Sequence, residues 1–215
     1  MVNHPYKLKS ISLNTINGFL FYFRLYLFEC VNIVIWSNYI LSYGGFILLI
    51  ESIGKIVDIL DYLRKTNTRD YLLFSMSFEV GMELDDVLCL KVSDVRNKKS
   101  MNVSGINIKM RKEVIQDIKE YCKNKQKNEF MFQSNDGFNQ KLGRKRAVEI
   151  LSEVAGMFGI DEFGVDTLRK SFGYFFYLRS RDMALLKQIY GHSKNYDTLK
   201  YIGLKGVVDE SSSSN

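Results

Sequence analysis

Apolar residues recur at helical spacing along most of the chain beyond residue 53. Between Ile53 and Arg64 they mark one face of a helix, before the polar break TNTR at 66–69. That face consists of Ile56, Ile59, Leu60 and Leu63. Segment 70–80 is apolar almost all round, which predicts a helix buried at the centre of a domain.

The same spacing predicts a largely helical chain further on, interrupted by short strands. We expect helices over 83–90, 111–125, 142–158, 166–178 and 182–190. The predicted inward face of helix 142–158 is Ala147, Ile150, Leu151, Val154 and Met157. Within 91–109, β-branched pieces around Ser104-Gly105 favour short antiparallel strands, and 130–133 is a further strand-like piece. The predicted fold class is mainly α with a small inserted antiparallel β-sheet (α+β).

Residues 1–54 differ in character from the rest of the chain. From Cys30 to Ile50 there is no charged residue, and the length of this stretch matches a membrane span. Asparagines, serines and a glycine pair within it oppose insertion, so packing onto the main domain is favoured over a span. We predict an apolar N-terminal region at 1–54, a main domain at 55–205 and a disordered tail at 206–215.

Composition narrows the classes of chemistry open to the chain. Its 30 lysines and arginines against 24 aspartates and glutamates give a net charge of +6, a sign that polyanions attract. The 3 cysteines lack paired spacing and there are only 2 histidines, so we expect reduced thiols, a cytoplasmic location, no metal and no cofactor. The absence of a GxxxxGK[ST] loop and of a G-x-S-x-G elbow removes the commonest nucleotide and acyl-transfer chemistries.

Three blocks of the chain carry a resemblance to a known family. They are RDYLLFSMSFEVGMELDDVLCLKVSDV at 69–95, FMFQSNDGFNQKLGRKRAVEILSEVAGMFGI at 130–160 and DTLRKSFGYFFYLRSRDMALLKQIYGHSKNYDTLKYIG at 166–203. In order, spacing and flanking residues they resemble the catalytic domain of the tyrosine recombinases, the phage integrase family. The resemblance covers residues 55–205 and implies the fold of that catalytic domain.

By this resemblance, three residues match the catalytic positions of the family. Tyr201 stands at the nucleophile, which attacks a DNA phosphate and forms a 3′-phosphotyrosyl link. Arg169 stands at the second arginine and His192 at the second histidine, both of which stabilise charge on the phosphate. A poor nucleophile and a highly charged transition state need fixed cations and hydrogen-bond donors more than they need a metal.

Three other positions depart from the family pattern. Glu83 replaces the first arginine, and Asp166 replaces the histidine three residues before Arg169. The lysine of the hairpin turn has no equivalent at Ser104-Gly105. Asp166 has a plainer alternative role as the N-cap of the helix that follows, and Glu83 as a solvated acid at a helix start. The resemblance thus implies an impaired active site.

A basic cluster marks the start of helix 142–158, in a region that touches the DNA backbone in the family. Its members are Lys141, Arg144, Lys145 and Arg146. Such a cluster is otherwise a solvated helix end. A weaker candidate for phosphate contact surrounds the small sheet and comprises Arg96, Lys98, Lys99, Lys109, Arg111 and Lys112.

Three hypotheses of function follow from these observations. The first is site-specific DNA recombination or integration by breaking and rejoining strands. The second is a catalytically silent relative that binds DNA or regulates active recombinases, and the third is a membrane-tethered or decayed relative without DNA function. The altered positions favour the second over the first on mechanism. We therefore predict a DNA-binding protein of this family with impaired cleavage. Its expected partner is double-stranded DNA, with its own copies or other recombinase protomers as further candidates and a membrane not favoured.

Overall fold

A computed structural model describes residues 49–204 of the protein. Within this range the chain forms the following elements, numbered in chain order: α1 (Ile53–Thr66), α2 (Thr68–Glu79), α3 (Leu84–Cys89), α4 (Val92–Val95), β1 (Ser100–Val103), β2 (Ile106–Lys109), α5 (Lys112–Tyr121), α6 (Arg144–Met157), α7 (Thr167–Ser180), α8 (Met183–Tyr190) and α9 (Asn195–Tyr201). The predicted fold class, mainly helical with a small antiparallel sheet, is confirmed.

Most of the predicted N-terminal region lies outside the described residues, as does the predicted tail at 206–215. The same holds for residues 30–48 of the uncharged stretch. Among residues 49–204, no helix is long and apolar enough to cross a membrane.

Helix α1 begins at a serine cap, because the Ser52 hydroxyl accepts a hydrogen bond from the Lys55 backbone N–H at 3.4 Å. Its buried side chains are the four apolar residues predicted from the spacing. Just before the helix, Ile50 is buried, and its N–H donates to the Ser171 hydroxyl at 2.6 Å. The chain entering α1 is therefore packed against α7.

Helix α2 lies at the centre of the domain, as its apolar circumference predicts. Asn67 caps it, since its side-chain oxygen accepts from the Asp70 N–H at 3.2 Å. Leu72, Leu73 and Phe74 are fully buried, and the helix packs against α1, α5 and α7. The core thus surrounds α2 and positions the short helix α3 that follows it.

Strands β1 and β2 form a two-stranded antiparallel hairpin, with Met101 opposite Ile108. Its turn is Ser104-Gly105, as predicted, with φ of 51° and 83°. The Ser104 hydroxyl donates to the Ile189 carbonyl at 3.0 Å, so the hairpin is tied to the end of α8. The turn therefore lies beside the loop that carries His192.

The β-branched piece at 92–95 is the short helix α4, so the expectation of a strand there is wrong. The Asp94 carboxylate accepts from the Lys91 N–H at 2.8 Å, which closes a helical turn. Val92 and Val95 are both buried. Residues three apart share one side of a helix but lie on opposite sides of a strand, so only the helix buries both.

The strand-like piece at 130–133 makes single bridges to Lys91 and Lys141 without joining the hairpin. It leads into α6, where Ala147, Ile150 and Leu151 are buried as predicted. Met157 was predicted to face inward, but it is 62% exposed. It is the last residue of α6, and no element of residues 49–204 extends far enough to cover it.

Candidate active site

Arg169 lies in the first turn of α7, and its side chain is only 12% exposed. Its Nε donates to the Gly81 carbonyl at 3.1 Å, and its Cζ lies 5.0 Å from the centre of the Tyr190 ring. Gly81 has a φ of 68°, which allows the sharp turn between α2 and α3 that presents this carbonyl. The guanidinium is therefore held between a backbone acceptor and an aromatic face.

Glu83 immediately precedes α3, and its carboxylate pairs with Arg169. The Nη1 and Oε1 atoms are 2.5 Å apart, and the Glu83 side chain is 57% exposed. Glu83 is a partly solvated acid at a helix start, as the sequence indicated, and also the partner of the arginine. Its carboxylate occupies a donor of the guanidinium, so any other anion that binds Arg169 must displace Glu83 or bind beside it.

Tyr201 and His192 lie in an aromatic cluster with Tyr190. The Tyr201 ring centre is 5.0 Å from that of Tyr190 and 5.6 Å from that of His192. The Nδ1 atom of His192 lies 3.0 Å from the Thr198 hydroxyl oxygen, which ties the histidine to α9. Because Arg169 stacks on the same Tyr190 ring, the structure brings the three predicted catalytic positions to one place.

Sequence patterns did not single out Tyr190, although it contacts all three of these residues. Its hydroxyl donates to the Arg169 carbonyl at 2.6 Å. This approach requires Gly173 in α7, because a Cβ at that position would lie 2.0 Å from the Tyr190 hydroxyl oxygen. A glycine inside an otherwise apolar helix is the signal that could have indicated such a close contact.

The Tyr201 hydroxyl is difficult to ionise. Burial raises its pKa, and the negative charge of Asp166 raises it further. Arg169 lowers the pKa in part, while Glu83 raises it. The Lys170 ammonium lies 5.3 Å from the ring centre, facing the aromatic ring. Since an ionised or base-assisted hydroxyl is the better nucleophile, burial first and these carboxylates second oppose a nucleophilic role for this hydroxyl.

The surroundings of His192 disfavour its cationic form. Partial burial is the main cause that lowers its pKa, Asp197 opposes this by raising the pKa, and Arg169 adds a smaller lowering effect. A neutral imidazole offers one N–H and no charge to a bound phosphate. No three His, Cys, Asp or Glu side chains of residues 49–204 converge as they would around a metal ion.

Asp166 occupies the N-cap position of α7, but its carboxylate accepts no capping hydrogen bond. The predicted capping role is therefore wrong. Thr167 makes the local contact instead, since its hydroxyl accepts from the Gly164 N–H at 2.7 Å. The Asp166 side chain is exposed and acts on the site through its charge, as its effect on the pKa of Tyr201 indicates.

The arginines of the predicted DNA-contacting cluster are neutralised within the chain. Arg144 pairs with Asp85 of α3 at 2.7 Å. Arg146 pairs with Glu149 at 3.2 Å and with Glu153 at 3.4 Å. All of these groups are partly or largely exposed, so each pair is weak and open to competition from another anion.

The two lysines of the cluster are in a different position. Lys141 is exposed, and its Nζ lies 3.2 Å from the Sγ of Cys89 at the end of α3. Lys145 is exposed and pairs with no carboxylate of residues 49–204. These lysines are the more accessible cations of the cluster.

In the weaker candidate for phosphate contact, the basic residues around the small sheet, both arginines bind groups of their own chain. Arg96 donates to the carbonyls of Cys122 and Lys125 at the end of α5. Arg111 pairs with the buried Glu79, with its Nε 2.8 Å from the carboxylate. Its lysines remain exposed, without a defined geometry for phosphate.

Comparisons with known proteins agree on one group. A model of the "Phage integrase family" matches residues 48–205. The "Probable integrase/recombinase YoeC" of Bacillus subtilis (strain 168) is 37% identical over 161 residues, which cover 72% of this chain and 88% of that protein.

Solved structures with a similar fold include XerA recombinase, with a TM-score of 0.63 and 18% identity over 79% of this chain. They also include XerH site-specific recombinase bound to palindromic difH substrate, with a TM-score of 0.61 and 19% identity over 80% of this chain. The chain spans 65% of the XerA chain and 55% of the XerH chain. At these identities the likeness shows the fold alone.

A mostly helical domain with an inserted hairpin, which brings a tyrosine, an arginine and a histidine together, defines the class of tyrosine recombinase catalytic domains. The chain belongs to this family, the phage integrases, since the family model matches all of residues 49–204.

Proposed function

We propose that this protein is a DNA-binding tyrosine recombinase relative whose own strand cleavage is strongly impaired. One observation carries the proposal: Arg169, which by resemblance stands at a phosphate-binding arginine of the family, is already paired with Glu83 at 2.5 Å. Family membership supports duplex DNA as the partner, as does the likeness to a recombinase bound to its difH substrate.

Electrostatics support impaired cleavage at Tyr201. A unit charge about 5 Å from a phosphate is worth at most roughly 3 kcal/mol at an effective dielectric near 20, and less at the 57% exposed Glu83, so an acid in place of a base shifts the balance by at most roughly 6 kcal/mol. That difference corresponds to about four decades of rate. The carboxylates also raise the pKa of Tyr201, and burial lowers the pKa of His192, so His192 adds little positive charge beside Arg169.

Binding to DNA should be weak and strongly dependent on salt. Arg144 and Arg146 must exchange carboxylates of their own chain for phosphates, which leaves Lys141 and Lys145 as the accessible cations. Fluorescence anisotropy with a labelled duplex at decreasing salt measures the affinity. Absence of binding even at low salt would overturn the DNA-binding part of the proposal.

Covalent trapping on nicked duplex DNA tests the chemistry directly. The natural sequence should give little or no phosphotyrosyl adduct on a denaturing gel. Glu83→Arg combined with Asp166→His should restore some adduct, because two repulsive charges are replaced by donors aimed at the phosphate. The restoration should be partial, since the hairpin turn still lacks a lysine.

The matched control for this experiment is Asp86→Arg with Asp166→His. It makes the same change of charge three residues further along the chain, within α3, at an exposed position that does not pair with Arg169. This control should give no adduct, and Tyr201→Phe should abolish the adduct of the restored variant. A robust adduct from the natural sequence would overturn impaired cleavage, and an adduct that survives Tyr201→Phe would overturn the nucleophile.

A second candidate is a role beside active recombinase protomers, either its own copies or relatives, on shared DNA. The absence of a local cation at the position of Glu83 favours it, because another protomer would then have to supply the chemistry. Sedimentation of the protein with and without duplex DNA measures association of its own copies. A single monomeric species under both conditions would exclude self-association.

A further inference from the structure

One apolar side chain points into solvent beside the basic cluster. Phe138 is 90% exposed, the highest exposure of any large apolar residue among those described. It lies in the loop 134–140, whose two ends are joined by the bridge between Gln133 and Lys141. The loop leads directly into the start of α6.

This loop keeps its shape without help from the phenylalanine. The Ser134 N–H donates to the Gln140 carbonyl at 2.8 Å, and the Ser134 hydroxyl is 3.0 Å from an Asp136 carboxylate oxygen. Asn139 accepts from the Phe130 N–H at 2.9 Å. Since Phe138 lies outside the core, its ring gains nothing from folding, although a buried phenylalanine normally contributes substantially.

The charges around the loop indicate what kind of surface would cover the ring. Lys141 closes the base of the loop, and Arg144 and Lys145 follow at the start of α6; all three are exposed. An apolar ring flanked by cations complements a partner surface on which negatively charged groups alternate with apolar groups. Duplex DNA has this character, with phosphates beside deoxyribose and base edges.

We propose that Phe138 is a non-ionic DNA contact, whose ring packs against deoxyribose and base edges while Lys141 and Lys145 hold neighbouring phosphates. The inference rests on the proposed function, because it names how the same surface holds the same partner. Phenylalanine is among the side chains that proteins use against thymine methyl groups and as wedges between base steps.

Phe138 would touch DNA away from the point of chemistry. Lys141 contacts Cys89 at the end of α3, whereas Glu83 at its start contacts Arg169. Six helical residues span about 9 Å, which is roughly three base-pair steps. The contact therefore contributes to affinity for DNA without entering the Tyr201 site.

The test is the affinity of the full chain for a labelled duplex across a salt series, with Phe138→Ser and three comparison variants. Phe138→Ser should weaken binding about tenfold at every salt concentration, with an unchanged slope of log K against log salt. Phe138→Leu should keep most of the affinity. Lys145→Gln should reduce the magnitude of the slope by about 0.9, since it removes one phosphate contact.

Met157→Ser is the matched control, because Met157 is also exposed but lies at the opposite end of α6 from the loop. It should bind as the natural protein does. Equal affinity of Phe138→Ser and the natural protein would overturn the inference while leaving DNA binding intact. An equal loss of DNA affinity in Met157→Ser would also overturn the inference. So would a change in the self-association of Phe138→Ser, measured by sedimentation, without a change in its DNA affinity, because the ring would then contact a protein partner. A natural protein that binds no duplex at all would overturn the proposed function itself.

Discussion

Glu83 and Arg169 form a pair with unequal surroundings, since the carboxylate is 57% exposed and the guanidinium 12%. Water and salt screen the exposed partner, so such pairs are typically worth no more than about 1 kcal/mol. Arg169 is held in place by the Gly81 carbonyl and the Tyr190 ring as well. It would therefore remain fixed when Glu83 is displaced, which is compatible with weak binding of a phosphate.

Neutralising this acid should strengthen binding to duplex DNA. Glu83→Gln removes one repulsive charge next to Arg169 and should raise the affinity roughly fivefold at low salt, as expected for about 1 kcal/mol. Asp86→Asn is the control, because it removes an equal charge at an exposed position without a contact to Arg169. Its effect should be smaller. Equal gains from both variants, measured by fluorescence anisotropy, would show that only net charge matters.

The sequence could indicate which residues come together in the site but not how they pair. Tyr201, Arg169 and His192 follow from a motif, whose spacing is visible in one dimension. The pairing of Glu83 with Arg169 depends on the turn at Gly81 and on how α3 meets α7, which no local pattern contains. The expected cap at Asp166 failed because its backbone, with φ of −95° and ψ of 1°, is not in the extended conformation typical of an N-cap, and the loop decides that conformation.

Helices α7 and α8 contribute Arg169 and Tyr190 to the site, and one close contact sets the spacing of these helices. Their apolar periodicity was sufficient to predict both, as it was for α1, α2, α5 and α6. It failed at α4, where β-branched residues favoured a strand and a side-chain hydrogen bond closed a helical turn. Short elements have too few residues for periodicity to outweigh local contacts.

Filling the contact between α7 and α8 should destabilise the domain. Gly173→Ala would place a methyl group 2.0 Å from the Tyr190 hydroxyl oxygen, so the helices must separate or the tyrosine must move. We expect a loss of about 1–3 kcal/mol in the free energy of unfolding. Gly156→Ala in α6 is the matched control, since a Cβ there meets nothing within 4 Å. It should stabilise the protein by about 0.5–1 kcal/mol, because alanine favours helices over glycine.

Urea denaturation monitored by circular dichroism measures both values. Fluorescence anisotropy of the folded Gly173→Ala variant with duplex DNA adds a functional readout, because movement of Tyr190 also releases the face on which Arg169 stacks. Equal stability of the Gly173→Ala variant and the natural protein would contradict the close approach of the two helices.

The core of the molecule buries tyrosine hydroxyls together with its apolar side chains. Tyr71 in α2 is 2% exposed, and Tyr121 at the end of α5 is half-buried and donates to the Met131 carbonyl at 3.1 Å. Burial is the main cause that raises the pKa of each tyrosine to about 12. Apolar spacing placed both residues in helices, but it could not indicate how far each hydroxyl is removed from water.

These tyrosines make the stability of the folded domain sensitive to alkaline pH. Their pKa is about 12 in the folded protein and roughly 10 in an unfolded chain, so the unfolded chain loses its protons first as pH rises. The contribution of these two tyrosines to the free energy of unfolding is complete below about pH 10 and is lost as pH rises towards about 12. At pH 11 the loss should be roughly 1 kcal/mol for Tyr71 and less for the more exposed Tyr121.

Urea denaturation at pH 8 and at pH 11 measures the free energy of unfolding at each pH. Tyr71→Phe should reduce the difference between these two free energies by roughly 1 kcal/mol. If Tyr71→Phe loses as much stability at pH 11 as the natural protein does, ionisation of the buried hydroxyl is not the cause.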